Sequence, residues 1–113
     1  MTARAQSRKH RGYATQRALA GRWRASGLAP YAKPPGAGES GPDVLDGPAG
    51  VTVEIKARTA VSLVATLATT AARSPGDLAI CIWRHDGQGE AAIDQWTVTM
   101  SLVDWESLYR RTL

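Results

Sequence analysis

Three ionisable residues in the middle of the chain have the types and the spacing of a metal-assisted hydrolytic site. Glu54 and Lys56 lie two residues apart in the alternating segment VTVEIKAR, so a β-strand would direct both side chains to the same face. Asp43 comes eleven residues before Glu54, a spacing at which a hairpin can bring the two carboxylates face to face. Two converging carboxylates, with the peptide carbonyl of Ile55 and water, suit a hard cation such as Mg²⁺ or Mn²⁺.

Phosphodiester hydrolysis would use each of these groups in a distinct role. A bound metal ion makes its water easier to deprotonate and neutralises charge in the transition state, and an adjacent cation orients the nucleophile. We therefore predict Asp43, Glu54 and the Ile55 carbonyl as metal ligands and Lys56 as the catalytic cation. An E-x-K tripeptide alone is also the ordinary pattern of a solvated strand face, and the preceding Pro/Gly-rich loop with its Pro42-Asp43 pair is what favours a site.

The charged residues are distributed unevenly along the chain. Residues 1–38 contain eight Lys and Arg and no acid, whereas residues 39–113 have a net charge of −4 within a total of +4. A basic segment joined to an acidic remainder favours a polyanionic partner, although a solvated basic tail would have the same composition. The residues predicted to contact phosphate groups of such a partner are Arg8, Lys9, Arg11, Arg17, Ser40 and Arg58.

The order of predicted elements is α, β, β, β, α, β, β, α in one domain at residues 11–113, preceded by a flexible basic arm at residues 1–10. This order implies an α/β fold with a mixed central sheet flanked by helices. The predicted elements are a helix over 13–26, a short strand over 28–33, a hairpin of a strand at 44–45 with a strand at 51–58, a helix over 60–73, a buried strand over 77–84, a strand over 93–100, and a C-terminal helix capped by Ser101.

The segment PGAGESGPDVLDGPAGVTVEIKAR resembles the active-site core of the PD-(D/E)XK nucleases. Its order of basic helix, loop, hairpin and helix is similar to the Holliday junction resolvase-like branch found in bacteriophages. The resemblance implies a restriction-endonuclease-like fold with an αβββαβ core, a divalent metal, DNA as the substrate and a homodimer acting on branched DNA. It also implies that Asp43 and Glu54 hold the metal and that Lys56 is the catalytic lysine.

The chain departs from this family pattern on its first helix. Many relatives have a metal-binding glutamate there, and the corresponding position in GYATQRA is Gln16. An amide is a weak ligand but can orient water or a neighbouring group, so we include Gln16 among the candidate catalytic residues. Glu39 in the Gly-rich loop is the alternative source of a third carboxylate.

Two other classes of function fit the sequence. Gln16 could mark a non-catalytic DNA-binding subunit that retains the nuclease fold, and Glu54 with Lys56 could be the solvated strand face of an RNA-binding or protein-interaction module. The single Cys81 favours a reducing compartment, and we expect a cytoplasmic protein of a bacterial or phage-infected cell. The second helix has no charged residue before Arg73 and has apolar residues on two faces, which predicts a dimer contact.

Overall fold

The computed structural model describes residues 3–36, 41–57 and 62–112, with side chains described from residue 12 onward. It is an α/β fold with a small mixed sheet flanked by helices, as predicted for the fold class. The elements in chain order are helix α1 (Ala3–Ser26), strand β1 (Val51–Lys56), helix α2 (Leu63–Arg73), strand β2 (Leu78–Trp83), a 3-10 helix (Glu90–Gln95), strand β3 (Thr97–Thr99) and helix α3 (Leu102–Arg111).

The described sheet has three strands in the order β1-β2-β3. Strands β1 and β2 are parallel, with Val53 opposite Ile80, and β2 and β3 are antiparallel, with Ile82 opposite Val98. Parallel neighbours need a crossover between them, and α2 supplies it. The apolar run LAICIW forms the central strand β2, whose four inner residues are buried, which confirms the buried strand predicted over 77–84.

The two faces of the sheet are covered by different helices. Val53 and Ile55 of β1 lie in one core cluster with Leu19 and Trp23 of α1, so α1 packs on that face. Because side chains alternate along a strand, Glu54 and Lys56 lie on the opposite face, where they meet residues of α2. The remaining members of the core are Ala20, Ala29, Ala32, Val44, Ile80, Ile82 and Trp96.

Helix α1 extends further towards the N-terminus than the sequence suggested. It begins at Ala3, so residues 3–10 of the predicted arm are helical, and it ends at Ser26 as predicted. Gly27 follows with a φ of 78°, a conformation that favours glycine and stops a helix. Residues 3–11 contain no proline or glycine and are rich in Ala and Arg, so nothing in their composition interrupts the helix.

The predicted hairpin is wrong. Leu45 forms an isolated antiparallel bridge with Lys33, and Asp43 contributes one backbone hydrogen bond to the edge of β1, from its N–H to the Val53 carbonyl at 2.9 Å. Pro42 has no N–H to donate, and Asp46 has a φ of 51°, so the extended segment between them is too short for a strand. One described strand therefore stands between α1 and α2, and the αβββαβ core is not confirmed.

Two other predicted strands are shorter than expected. Residues 27–31 form turns, and only Lys33 of the predicted strand over 28–33 pairs with another segment. The strand predicted over 93–100 is reduced to β3, because the turn-type bonds from Ala92 N–H to Gly89 O and from Trp96 N–H to Ile93 O form a 3-10 helix first.

The C-terminal helix α3 begins at the cap that the sequence predicted. The Asp104 N–H donates to Ser101 Oγ at 3.2 Å, and Arg110 and Arg111 occupy the last turn, where they complement the helix dipole. Its apolar stripe is exposed to solvent. None of the helices in the described ranges combines the length and the apolar character needed to cross a membrane.

Candidate active site

Asp43 is fixed at the outer edge of β1 by both its backbone and its side chain. Its Oδ2 accepts a hydrogen bond of 2.7 Å from the Ile55 N–H, and its Oδ1 accepts one of 3.0 Å from Gln16 Nε2. Helix α1 therefore brings Gln16, the candidate residue on its surface, into contact with Asp43. The carboxylate lies between α1 and the strand that carries Glu54.

The edge of β1 beside Asp43 also offers a peptide carbonyl. Val53 O accepts from Asp43 N–H, and Ile55 N–H donates to Asp43 Oδ2, whereas Lys56 O accepts from Arg84 N–H on the side of β2. Backbone polar groups alternate in direction along a strand, so those of Val53 and Ile55 point to the Asp43 edge. The Ile55 carbonyl is thus directed towards Asp43, the position assumed for a backbone ligand.

Glu54 is held between two cations. Lys56 Nζ lies 3.1 Å from Glu54 Oε1, and Arg73 Nη1 lies 3.1 Å from Glu54 Oε2. The Glu54 side chain is 14% exposed and that of Lys56 is 22% exposed, whereas Arg73 is 44% exposed. Each carboxylate oxygen of Glu54 therefore has a charged donor while its surroundings are mostly protein.

A cleft of about 180 Å³ opens over this group between β1 and α2. Its charged lining consists of Glu54, Lys56 and Arg73, and its α2 wall is made of small residues. Small side chains on the helix leave space above the strand face. The members of that wall are Ala65, Thr66, Thr69 and Thr70.

The surroundings of Asp43 disfavour its ionised form. Its pKa rises from the ordinary 3.8 to about 6, mainly because burial removes water from the carboxyl and further because the Glu54 carboxylate repels it and shares a hydrogen bond with it. The Ile55 N–H and the Lys56 charge act in the opposite direction. Asp43 and Glu54 repel each other when both are ionised. A cation bound between the two carboxylates would relieve this repulsion.

This donor set fits a divalent metal ion that retains several water ligands. Asp43, Glu54 and the Ile55 carbonyl can supply three oxygens, and Mg²⁺ is usually held by one or two carboxylates together with water and substrate oxygens. Over residues 3–36, 41–57 and 62–112, no group of three or more His, Cys, Asp and Glu side chains is arranged to hold a metal. Gln16, which also contacts Asp43, contributes an amide and not a carboxylate.

Among the residues predicted to contact phosphates, only Arg17 has a described side chain. Arg17 is exposed on α1, and its guanidinium lies over the ring of Tyr13, 5.5 Å from the centroid. The predicted phosphate-contacting residues Ser40 and Arg58, and the alternative ligand Glu39, lie outside the described residues. The side chains of Arg8, Lys9 and Arg11 also lie outside the described part.

Arg73 is the site residue that sequence reasoning missed. It ends a helix with no other charged residue, which was the one available signal. It reaches Glu54 only because α2 covers that face of the sheet, and its Nη1 also donates to the Gly41 carbonyl at 3.4 Å, in the loop that leads to Asp43. Arg73 therefore joins α2 to both carboxylate-bearing segments.

Cys81 lies beside the site but is enclosed. It stands opposite Glu54 in the register of β1 and β2 and is fully buried as a free thiol. Burial, followed by the nearby Glu54 charge, raises the pKa of the Cys81 thiol. The residue is thus a small buried side chain, as expected from the sequence, and a poor nucleophile.

Comparisons with protein-family models, curated proteins and solved structures found no match to this chain.

Proposed function

We propose that this chain is a metal-dependent endonuclease that hydrolyses DNA phosphodiester bonds, with a preference for branched DNA. Asp43, Glu54 and the Ile55 carbonyl would hold Mg²⁺ or Mn²⁺, and Lys56 is the catalytic lysine. The observation that carries the proposal is that the Asp43 carboxyl is bound to the Ile55 N–H and interacts with Glu54, while Lys56 contacts Glu54 from the same strand face. The proposed setting is the cytoplasm of a bacterial or phage-infected cell.

The residues of the site divide the work of hydrolysis among them. When bound, the metal supplies an activated water and neutralises charge on the phosphate. Lys56 Nζ lies 3.1 Å from Glu54 Oε1, and its ammonium can donate a hydrogen bond to the nucleophile or to the phosphate as charge develops there. Gln16 fixes the orientation of Asp43 through Oδ1, and the Ile55 N–H fixes Oδ2.

Support for DNA as the substrate comes from charge. Positions 1–38 contain eight Lys and Arg residues and no acid, and most of the eight belong to α1, the helix that brings Gln16 to Asp43. Phosphate contacts along this helix would place a DNA backbone beside the site. The proposed restriction-endonuclease-like relation rests on the α1-β1-α2-β2 order around the motif residues of β1.

The exposed stripe of α3 favours a second copy of this chain as its partner. Leu102, Trp105, Leu108 and Tyr109 are all exposed and share one side of the helix, where the rings of Trp105 and Tyr109 stack at 5.4 Å. Acidic residues lie in the N-terminal half of α3 and basic residues in its C-terminal half. Antiparallel pairing of two α3 helices would therefore bury the stripe and bring opposite charges together, as an isologous dimer requires. The contact predicted for α2 from the sequence stays an alternative interface, since Val64 of α2 is also exposed.

Cleavage assays on a labelled four-way junction and on linear duplex, with Mg²⁺ and with EDTA, test the proposal. Wild-type protein should cut only with the metal, and Asp43→Ala and Glu54→Ala should lose cleavage while retaining DNA affinity. Retained cleavage in either variant would remove these residues from the site. Equal rates on both substrates would argue against a preference for branched DNA but not against the nuclease.

The second candidate is a non-catalytic DNA-binding subunit. It is favoured by Gln16 in place of a carboxylate and by the absence of a three-carboxylate cluster among the described residues. DNA binding without metal-dependent cleavage, and without saturable Mg²⁺ binding, would support this candidate.

A further inference from the structure

Arg73 occupies the side of Glu54 that opens to the cleft. Its Nη1 lies 3.1 Å from Glu54 Oε2, and Lys56 holds the other oxygen. A metal bound by Glu54 competes with these cations, because both carboxylate oxygens already face a positive charge and cations gathered at one carboxylate repel one another. Of the two, Arg73 has the more exposed side chain and the longer reach.

The cleft beside Arg73 has the size and the donors for a phosphodiester group. Its volume of about 180 Å³ corresponds to roughly six water molecules at about 30 Å³ each. The hydroxyls of Thr69 and Thr70 donate to carbonyls of their own helix, so they are not free to donate to an anion. Lys56 and Arg73 are thus the charged donors of this wall, and Arg can bind two phosphate oxygens at once.

We propose that Arg73 is a substrate-binding residue that changes partners, pairing with Glu54 in the metal-free protein and with a non-bridging phosphate oxygen of DNA once a divalent cation occupies Glu54. This inference rests on the proposed nuclease function. In the metal-free protein, Arg73 neutralises Glu54 and fastens α2 to the loop at Gly41. With metal bound, cation repulsion moves the guanidinium into the cleft, where a phosphate balances its charge.

The exchange predicts effects of opposite sign on two affinities. Arg73→Gln removes a cation that competes for Glu54, so the dissociation constant for Mg²⁺ should fall by about two- to fivefold, the scale of a partly exposed ion pair. The same change removes a phosphate contact, so the dissociation constant for DNA in the presence of Ca²⁺ should rise by roughly five- to tenfold. A residue that only supports the fold would weaken both.

The experiment titrates Mg²⁺ alone by calorimetry and a labelled four-way junction with Ca²⁺ by fluorescence anisotropy. Arg22→Gln is the matched control for Mg²⁺ affinity, because Arg22 also pairs with a carboxylate, that of the exposed Asp94, but on α1 outside the cleft. It should leave Mg²⁺ affinity unchanged. DNA affinity is compared with that of the wild type, since α1 is itself proposed to contact the DNA. Arg73→Lys retains the charge without the bidentate geometry and should give DNA affinity between wild type and Arg73→Gln.

Each outcome decides something. Tighter Mg²⁺ with weaker DNA binding in Arg73→Gln supports the exchange. Loss of both affinities in Arg73→Gln, or a Mg²⁺ affinity equal to that of the control, overturns the exchange. If the wild type nevertheless binds metal and cuts DNA, the nuclease proposal stands without Arg73. A wild type that binds no divalent cation and cuts no DNA overturns the nuclease proposal, and the exchange with it. A thermal unfolding curve for each variant ensures that folded protein is compared.

Discussion

Replacing Asp43 by Asn should stabilise the metal-free protein at neutral pH while removing metal binding. The folded protein raises the pKa of Asp43 from 3.8 to about 6, so between these values the folded state retains a proton that the unfolded state has lost. The free energy of unfolding therefore falls as pH rises from about 4 to about 6, and it stays at the lower value above that range. Asn is neutral at every pH and avoids this loss.

The magnitude follows from the change in pKa. At about 1.4 kcal/mol per tenfold change, the shift to about 6 corresponds to roughly 3 kcal/mol. Asp43 is only partly buried, and solvent screening reduces this to about 1 to 2 kcal/mol. Asn can keep both contacts, accepting from the Ile55 N–H and donating to Gln16 after the Gln16 amide turns over.

Urea unfolding in EDTA at several values between pH 4 and pH 8 measures the effect. The stability of Asp43→Asn relative to wild type should grow by about 1 to 2 kcal/mol between pH 4 and pH 7 and then remain level. Asp77→Asn, in the exposed loop between α2 and β2, is the control for removal of one negative charge. A relative stability of Asp43→Asn that is flat with pH, or that falls as pH rises, would refute the electrostatic reasoning. Added Mg²⁺ should stabilise the wild type and Asp77→Asn but not Asp43→Asn.

Three further changes probe the parts of the structure that position the site. Gln16→Glu should tighten Mg²⁺ binding measured by calorimetry but lower the melting temperature in EDTA, because it places a third carboxylate against Asp43. An unchanged Mg²⁺ affinity together with an unchanged melting temperature would mean that residue 16 does not act on the site. Arg84→Met should lower the free energy of unfolding in urea by about 2 to 4 kcal/mol, since Arg84 is buried and donates to Thr15 Oγ1 at 2.8 Å beside Gln16. A decrease below about 1 kcal/mol would show that this contact is dispensable. Trp105→Glu should yield monomers in sedimentation velocity without a change in melting temperature of the monomer, because its side chain is exposed, and a persistent dimer would exclude α3 as the interface.

Local signals predicted most of the regular structure. Period-two alternation located β1, an uninterrupted apolar run located β2, and the Ser101 cap with its apolar stripe located α3. Each of these signals is contained in a few neighbouring residues. The hairpin failed because alternation specifies which face of a strand is buried and not which segment pairs with it. The partner of β1 is β2, beyond α2, and the nearby Leu45 pairs with Lys33.

The candidate site was predictable to the extent that it depends on strand geometry. Glu54 and Lys56 share a face because they are two residues apart, and the structure places them 3.1 Å apart. Asp43 does reach this group, but through a side-chain bond to the Ile55 N–H and not through the predicted pairing of strands. Arg73 could not be predicted in the same way, because its contact with Glu54 depends on how α2 packs across the sheet. Sequence spacing carries no information about that packing.

The charges around Glu54 and Asp43 suggest why an amide is tolerated at position 16. Without metal, two carboxyls meet two cations, and the pKa of about 6 for Asp43 shows that even this balance leaves the pair strained by burial and repulsion. A third carboxylate would add repulsion that no further cation in the described cleft lining offsets. Gln16 instead donates a hydrogen bond to Asp43, so it stabilises the ionised carboxylate at no cost in charge. The proposed metal would therefore meet a weaker donor set, and the oxygens that this set lacks would come from water and from the phosphate that Arg73 is proposed to hold.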